Sequence, residues 1–299
     1  MAHRVTAPAL QRAQRLLQQW VRPQVATNRL EFEVRATEEV FEPIAFERAR
    51  SMNMSPFTVS TPWGRPWHTV WFKMTARVPE SHAGRDLVAD IDLGFSGRGD
   101  GFQVEGMAWL DGRRLHAVQP DRRMVALGRR TAGEDIELWV EASATPIIAG
   151  HAFGYGPTSL GDPATAGAGP LYSLRRADLA VHNPATAELA GILQSMIDLV
   201  IDLDESAPQR ARLFDVLDRV TDVVDLHDIE STARAALHLV RSRLESHASA
   251  TSHTIVATGH AHLDTAWLWP IRETRRKAVR TFANAIDLLR SNPDAGATL

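Results

Sequence analysis

The chain has 299 residues, a formal net charge of −3, 44% hydrophobic and 23% charged residues. That is room for more than one domain, with no basic surplus to draw nucleic acid or an anionic membrane as partner. There is no cysteine, which excludes disulfides and thiolate metal ligands, so a metal would have to be held by His, Asp or Glu.

No apolar stretch at the N-terminus reads as a signal peptide, and no apolar run reaches the roughly 18 residues that span a bilayer. The expected location is cytoplasmic. Lys73 and Lys277 are the only lysines, and the surplus of arginine and alanine reads as coding bias.

In chain order, residues 1–29 carry Leu10, Leu16, Leu17, Trp20 and Val21 at helical spacing. They predict one amphipathic helix, ended near Pro23 and packed at a domain edge. Residues 30–150 change to short alternating segments: Glu31–Val34, His68–Val78, Leu87–Leu93 and Ile136–Glu141. Asp111-Gly112, a pair that tolerates positive φ, predicts a hairpin between Met107–Leu110 and Arg113–Leu115. Many short strands between turn signals predict a β-sandwich.

Residues 151–183 open rich in Gly, Pro, Ala and Thr and are expected to be a connecting loop, with no phosphate-cradling glycine pattern. Residues 184–250 return to helical periodicity. The stripes run from Leu189 to Ile201, from Leu213 to Val224 and from Ala233 to Leu244, separated at Pro208 and at Asp225–Asp228. They predict a helical linker. Asp202–Glu205 reads as a solvated helix end, since no glycine-centred calcium loop follows.

Residues 251–299 hold the segment that suggests chemistry. Thr254–Thr258 is a short β-branched run that leads into Gly259-His260-Ala261-His262-Leu263-Asp264-Thr265-Ala266-Trp267-Leu268-Trp269-Pro270. A helix is expected over Arg272–Arg290, with Val279, Phe282, Ala283, Ile286 and Leu289 as its apolar face. Strand, loop and helix make the opening of an α/β unit, where ligands sit at the carboxyl ends of strands. Alternation along an extended chain puts His260, His262 and Asp264 on one side. Imidazole with carboxylate suits zinc and related divalent ions. A tryptophan face beside a metal suits a pyranose ring. Spacing alone leaves a structural His pair and core tryptophans open as readings.

The whole string resembles the opening motif of the catalytic domain of glycoside hydrolase family 38, the retaining α-mannosidases, in the branch typified by cytosolic and vacuolar enzymes. Pro62-Trp63-Gly64, His68–Lys73 and Ala108–Gly112 are similar to that branch's N-terminal β-sandwich. The resemblance implies a multidomain fold: β-sandwich, helical connector and the first strand-loop-helix of an incomplete α/β barrel-like catalytic domain.

It also implies roles. His262 and Asp264 match the first two ligands of a divalent metal, zinc foremost and cobalt as the alternative. Trp267 matches the tryptophan that stacks on the metal-held sugar. His260 matches a histidine in a supporting role, for which a hydrogen bond behind the ligands is one physical possibility. The implied partner is a mannose-containing oligosaccharide, and a homo-oligomer stays open for the parent enzyme.

In that family a later aspartate is nucleophile and third ligand, another carboxylic acid protonates the leaving group and a later histidine completes the shell. Asp287 and Asp294 fall in a helix and its terminal loop and take none of these roles. The chain stops 35 residues after Asp264, so the expectation is an N-terminal fragment, inactive alone. Two alternatives stand beside it. One is a non-catalytic carbohydrate-binding or assembly sandwich, motivated by Trp63, Trp67 and Trp71. The other is a metal-dependent amidohydrolase, in which His-x-His also ends a first strand.

Overall fold

The N-terminal apolar stripe folds as a helix that changes pitch. α1 (Thr6–Arg15) runs into a wider π-helical stretch, Leu16–Val21, and then a tight turn, Arg22–Val25. Pro23 sits in the first turn of that last piece, where a missing N–H costs nothing. The computed structural model describes residues 6–96, 101–147, 167–244, 253, 256, 258–267 and 269–292.

The elements that follow are β1 (Ala26–Glu31), β2 (Glu33–Thr37), α2 (Phe46–Arg50), β3 (Met54–Pro56), β4 (Pro62–Trp63), β5 (Thr69–Arg77) and β6 (Asp86–Asp92). Then come β7 (Glu105–Leu110), β8 (Arg113–Val118), β9 (Met124–Arg129), β10 (Asp135–Ser143), β11 (Tyr172–Ser173) and β12 (Arg176–His182). The helices α3 (Pro184–Asp202), α4 (Pro208–Val223), α5 (Ile229–Leu244) and α6 (Ile271–Ser291) complete the chain.

The strands form the expected sandwich-like pair of sheets, one of six strands in the order β3-β2-β5-β10-β7-β8 and one of four in the order β1-β12-β6-β9. β4 and β11 make a separate small pair. The β7–β8 hairpin turns at Asp111 (φ 51°) and Gly112 (φ 73°), the left-handed pair a two-residue turn requires.

Period-2 alternation gives the six-stranded sheet two different faces. Val70, Phe72 and Met74 of β5 and Leu138 and Val140 of β10 are buried on one face. The other carries Trp109 and Trp139 at one end, Glu105 and Ser143 at the other, and Trp71 opposite Glu141 between them. Phe46 of α2 covers the tryptophans, stacked on Trp109 with ring centroids 4.5 Å apart. α6 covers the polar end.

α1 and its π-helical continuation share one apolar core with α3, α4 and α5, built on Leu17, Leu193, Leu217, Ala236 and their neighbours. The N-terminal helix is therefore a core member of a helical unit rather than a packing edge, and residues 184–244, expected as a linker, form the body of that unit. α3 is long and apolar enough to cross a membrane by length and composition, contrary to the expectation that no run was. Here Leu189, Leu193, Met196, Ile197 and Val200 bury its stripe among the other helices.

Two further expectations change. The loop assigned to 151–183 ends early. Tyr172–Ser173 and Arg176–His182 are strands, because Ala177, Leu179 and Val181 alternate with Arg176 and Asp178 and bury against the sheet. And α6 does not use its apolar stripe as its seat. Phe282 and Ile286 are exposed, Ala283 is buried and Val279 and Leu289 lie between, while the charged face built on Glu273, Arg276, Lys277 and Arg280 is buried. The expected strand at 254–258 falls largely outside the described residues, and among them no strand follows β12.

Candidate functional site

Residues 259–267 precede α6. His262 Nε2 lies 3.0 Å from Asp264 Oδ1, with the two side chains 75% and 38% exposed. The alternation read from the sequence thus brings these two together. His260 is exposed on the wall of the same cavity.

The chain then turns sharply. Ala266 takes φ 60°, a left-handed conformation that costs a side-chain-bearing residue roughly 1–2 kcal/mol. The turn is held from one point: Thr274 Oγ1, on the first turn of α6, accepts the Ala266 N–H (3.0 Å) and the Trp269 indole N–H (3.1 Å).

The turn separates the two tryptophans by role. Trp269 is buried in a cluster with Trp67 and the partly buried Phe102. Trp267 is 43% exposed, and its ring stands edge-on to Trp269 (centroids 5.5 Å apart) and to Phe102 (6.0 Å). Beside them opens a cavity of about 670 Å³, bounded by His260, His262 and Asp264 on one side, by Phe102 and Glu105 of the sandwich, and by Asn284 of α6.

An ionic layer beneath α6 fixes the helix that carries this turn. Glu273 accepts from the Ser143 hydroxyl (2.7 Å) and from Arg276 (3.2 Å), and it also pairs with Arg280. Glu105 pairs with Lys277 (3.1 Å) and Arg280 (3.0 Å). Burial pushes the Glu273 carboxyl up, but Arg280, Lys277 and Arg276 together outweigh it and bring it down to about 2. Glu105 is likewise lowered: burial opposes, and Lys277 and Arg280 prevail. Glu141, on the same sheet face, is pushed up by burial. Farther along, Asn284 accepts the Ala117 N–H (2.8 Å) and Arg122 pairs with Asp287.

The donor set suits a divalent ion. Two atoms each bound to a tetrahedral zinc at 2.0–2.1 Å lie about 3.3 Å apart. His262 Nε2 and Asp264 Oδ1 are already within a few tenths of an ångström of that spacing. Among the described residues no group of three such ligands converges.

Sequence reasoning gave no role to Thr274, Glu105, Lys277 or Phe102; Thr274 acts through the turn at Ala266 and the other three through contacts more than a hundred residues apart. A signal did exist in the charged positions 273, 276, 277 and 280, which repeat at i, i+3, i+4 and i+7 as a buried stripe does. Trp63, Trp67 and Trp71, the motive for a sugar-binding sandwich, are all buried, and Trp63 donates its indole N–H to Leu93 O (3.1 Å). They are core.

Two family descriptions match the chain: "Alpha-mannosidase, jelly roll domain" over residues 28–180 and "Glycosyl hydrolases family 38 N-terminal domain" over residues 252–296. Alpha-mannosidase 2C1 of Mus musculus is 27% identical over 261 residues, covering 85% of this chain and 23% of that protein. Alpha-mannosidase 2C1 of Homo sapiens has the same identity and coverage. Alpha-mannosidase G of Dictyostelium discoideum is 22% identical over 251 residues, covering 82% of this chain and 22% of that protein. The chain spans about a quarter of the length of these curated relatives.

Proposed function

The chain belongs to the α-mannosidases of glycoside hydrolase family 38, and from that premise we propose that its 259–267 segment is the metal- and sugar-holding corner of a retaining α-mannosidase site. The observation that carries the proposal is the 3.0 Å convergence of His262 and Asp264, with the 43% exposed Trp267 following three residues on. The substrate class is a mannose-terminated oligosaccharide.

In this reading His262 and Asp264 hold a divalent ion, zinc first and cobalt second. Once bound, the ion supplies Lewis-acid stabilisation at sugar hydroxyls. The protein's own groups do the rest of what this segment can do. Trp267 offers an aromatic face to the C–H face of the sugar and excludes water there. His260 supports the pair from the cavity wall. Thr274 fixes the turn that aims Trp267.

Asp287 is engaged by Arg122 and Asp264 is spoken for as a ligand, so no nucleophile or general acid is assigned among the described residues. A retaining site needs two carboxyl groups about 5 Å apart. We therefore propose that these 299 residues alone bind without turning substrate over. A cytoplasmic location and self-association of the whole enzyme go with this reading, by the branch the motif resembles. The non-catalytic sandwich lost its motive with the burial of Trp63, Trp67 and Trp71, and the amidohydrolase reading gives way to the family match.

Cobalt(II) absorption and zinc calorimetry on the purified chain test the metal pair. We expect binding that is lost in both His262→Ala and Asp264→Ala, and undiminished binding in both variants would overturn the assignment. Incubation with an aryl α-mannoside should release nothing above buffer. Enzymatic turnover by the chain would end the non-catalytic part of the proposal.

A further inference from the structure

We propose that Lys277 is a positioning residue that, held by Glu105, sets the attitude of the Trp267 ring. The proposal rests on the reading of Trp267 as the sugar platform and adds how the β-sandwich takes part in it.

Trp267 is bracketed edge-on by two rings, Trp269 and Phe102. One buried ammonium reaches both brackets. Lys277 Nζ lies 4.5 Å from the Trp269 ring centroid, in cation–π contact. It also donates to Gly101 O (2.6 Å), the residue joined to Phe102. Glu105 closes the clasp, pairing with Lys277 (3.1 Å) and accepting the Gly101 N–H (3.0 Å). Lys277 and Glu105 are nearly fully buried, so solvent screens the pair little. The contact therefore couples a loop of the sandwich to the exposed face of Trp267. The chain places one of its two lysines here. A compact, rotatable ammonium can serve a ring face, a carbonyl and a carboxylate at once, which a planar guanidinium does less readily.

The test is the exciton-coupled circular dichroism of the Trp267–Trp269 pair, defined as the signal lost on Trp267→Phe. Lys277→Met keeps the apolar stem and removes the charge, and should cut that signal by about half or more, as expected if ring geometry sets the coupling. Lys277→Arg, which keeps a cation over the ring, should restore much of it. Phe102→Leu, which removes a bracket without touching the ion pair, should change it independently and serves if Lys277→Met fails to fold. A wild-type signal in Lys277→Met or, should that variant not fold, in Phe102→Leu would overturn the inference.

Titration with methyl α-mannoside, followed by tryptophan fluorescence, separates this from the reading beneath it. Trp267→Ala should lose the saturable change. If it binds as wild type, the platform reading falls. If it loses binding while Lys277→Met keeps both the dichroism and the affinity, only the positioning role falls.

Discussion

α5 and α6 are both amphipathic, yet they bury opposite kinds of face. α5 puts Ile229, Ala233, Ala236, Leu237 and Val240 into the helical core and leaves Glu230, Arg234 and Arg241 in water. α6 buries Glu273, Arg276, Lys277 and Arg280 against β7 and β10 and leaves Phe282, Ile286 and Leu288 about half exposed. The difference shows that a 3.6-residue period announces two faces without saying which one the available partner wants. α5 meets other apolar stripes. α6 meets a sheet face whose inward-turned residues are Glu105, Glu141 and Ser143, and only its charged stripe can satisfy them. Buried charge is tolerable there because Glu273 and Glu105 are both paired with Arg276, Lys277 or Arg280.

The largest effect that could break this comparison is loss of Glu273. Glu273→Ala leaves Arg276 and Arg280 buried without their shared carboxylate, and removal of one partner from a buried network costs about 3–5 kcal/mol. We expect a drop of that order in urea-unfolding free energy. A loss under about 1 kcal/mol, the range of surface ion pairs, would mean α6 is not seated by its charges. Leu237→Ala in α5 should cost a similar 2–5 kcal/mol through its cavity, so size alone does not distinguish the two helices.

Acid does distinguish them. The Glu273 carboxyl falls from an ordinary 4.5 to about 2 in the folded chain. A lowered carboxylate pKa contributes stability that is fully present above the unfolded value and is lost as pH falls through the folded one. That shift corresponds to about 3 kcal/mol lost between roughly pH 5 and 2. Glu105 adds in the same direction, and Glu141, raised by burial, opposes. The penalty of Glu273→Ala relative to wild type should therefore shrink as pH drops toward 2, while that of Leu237→Ala stays level. Hydrogen exchange read separately in α5 and α6 checks this, and parallel acid profiles for the two helices would contradict it.

Much of the molecule was legible beforehand, for local reasons. The Asp111-Gly112 turn, the three stripes of the helical stretch and the pairing of His262 with Asp264 depend on dihedrals and periods that a few neighbouring residues determine. β12 was legible in principle, since Arg176, Ala177, Asp178 and Leu179 alternate. The glycine-rich composition just before it hid the change of pattern. The charged period of α6 was visible but not which face would be seated, and the parts played by Thr274, Lys277 and Phe102 were not legible. Each depends on which sheet face, loop or ring arrives from more than a hundred residues away, or on a left-handed Ala266 that no propensity favours.

The smallest expected effect probes the outer face of α6. Phe282 is 52% exposed, so Phe282→Glu surrenders little buried area, and glutamate is a somewhat better helix former than phenylalanine. The two small terms have opposite sign, and the unfolding free energy should move by no more than about 0.5 kcal/mol. The same substitution at Leu237 would bury an unpaired carboxylate and unfold the helical unit. Circular dichroism melts of the two variants side by side decide the matter. A Phe282→Glu chain that melts as early as Leu237→Glu would show that the apolar stripe of α6 is seated after all, and that the contrast between the two helices is wrong.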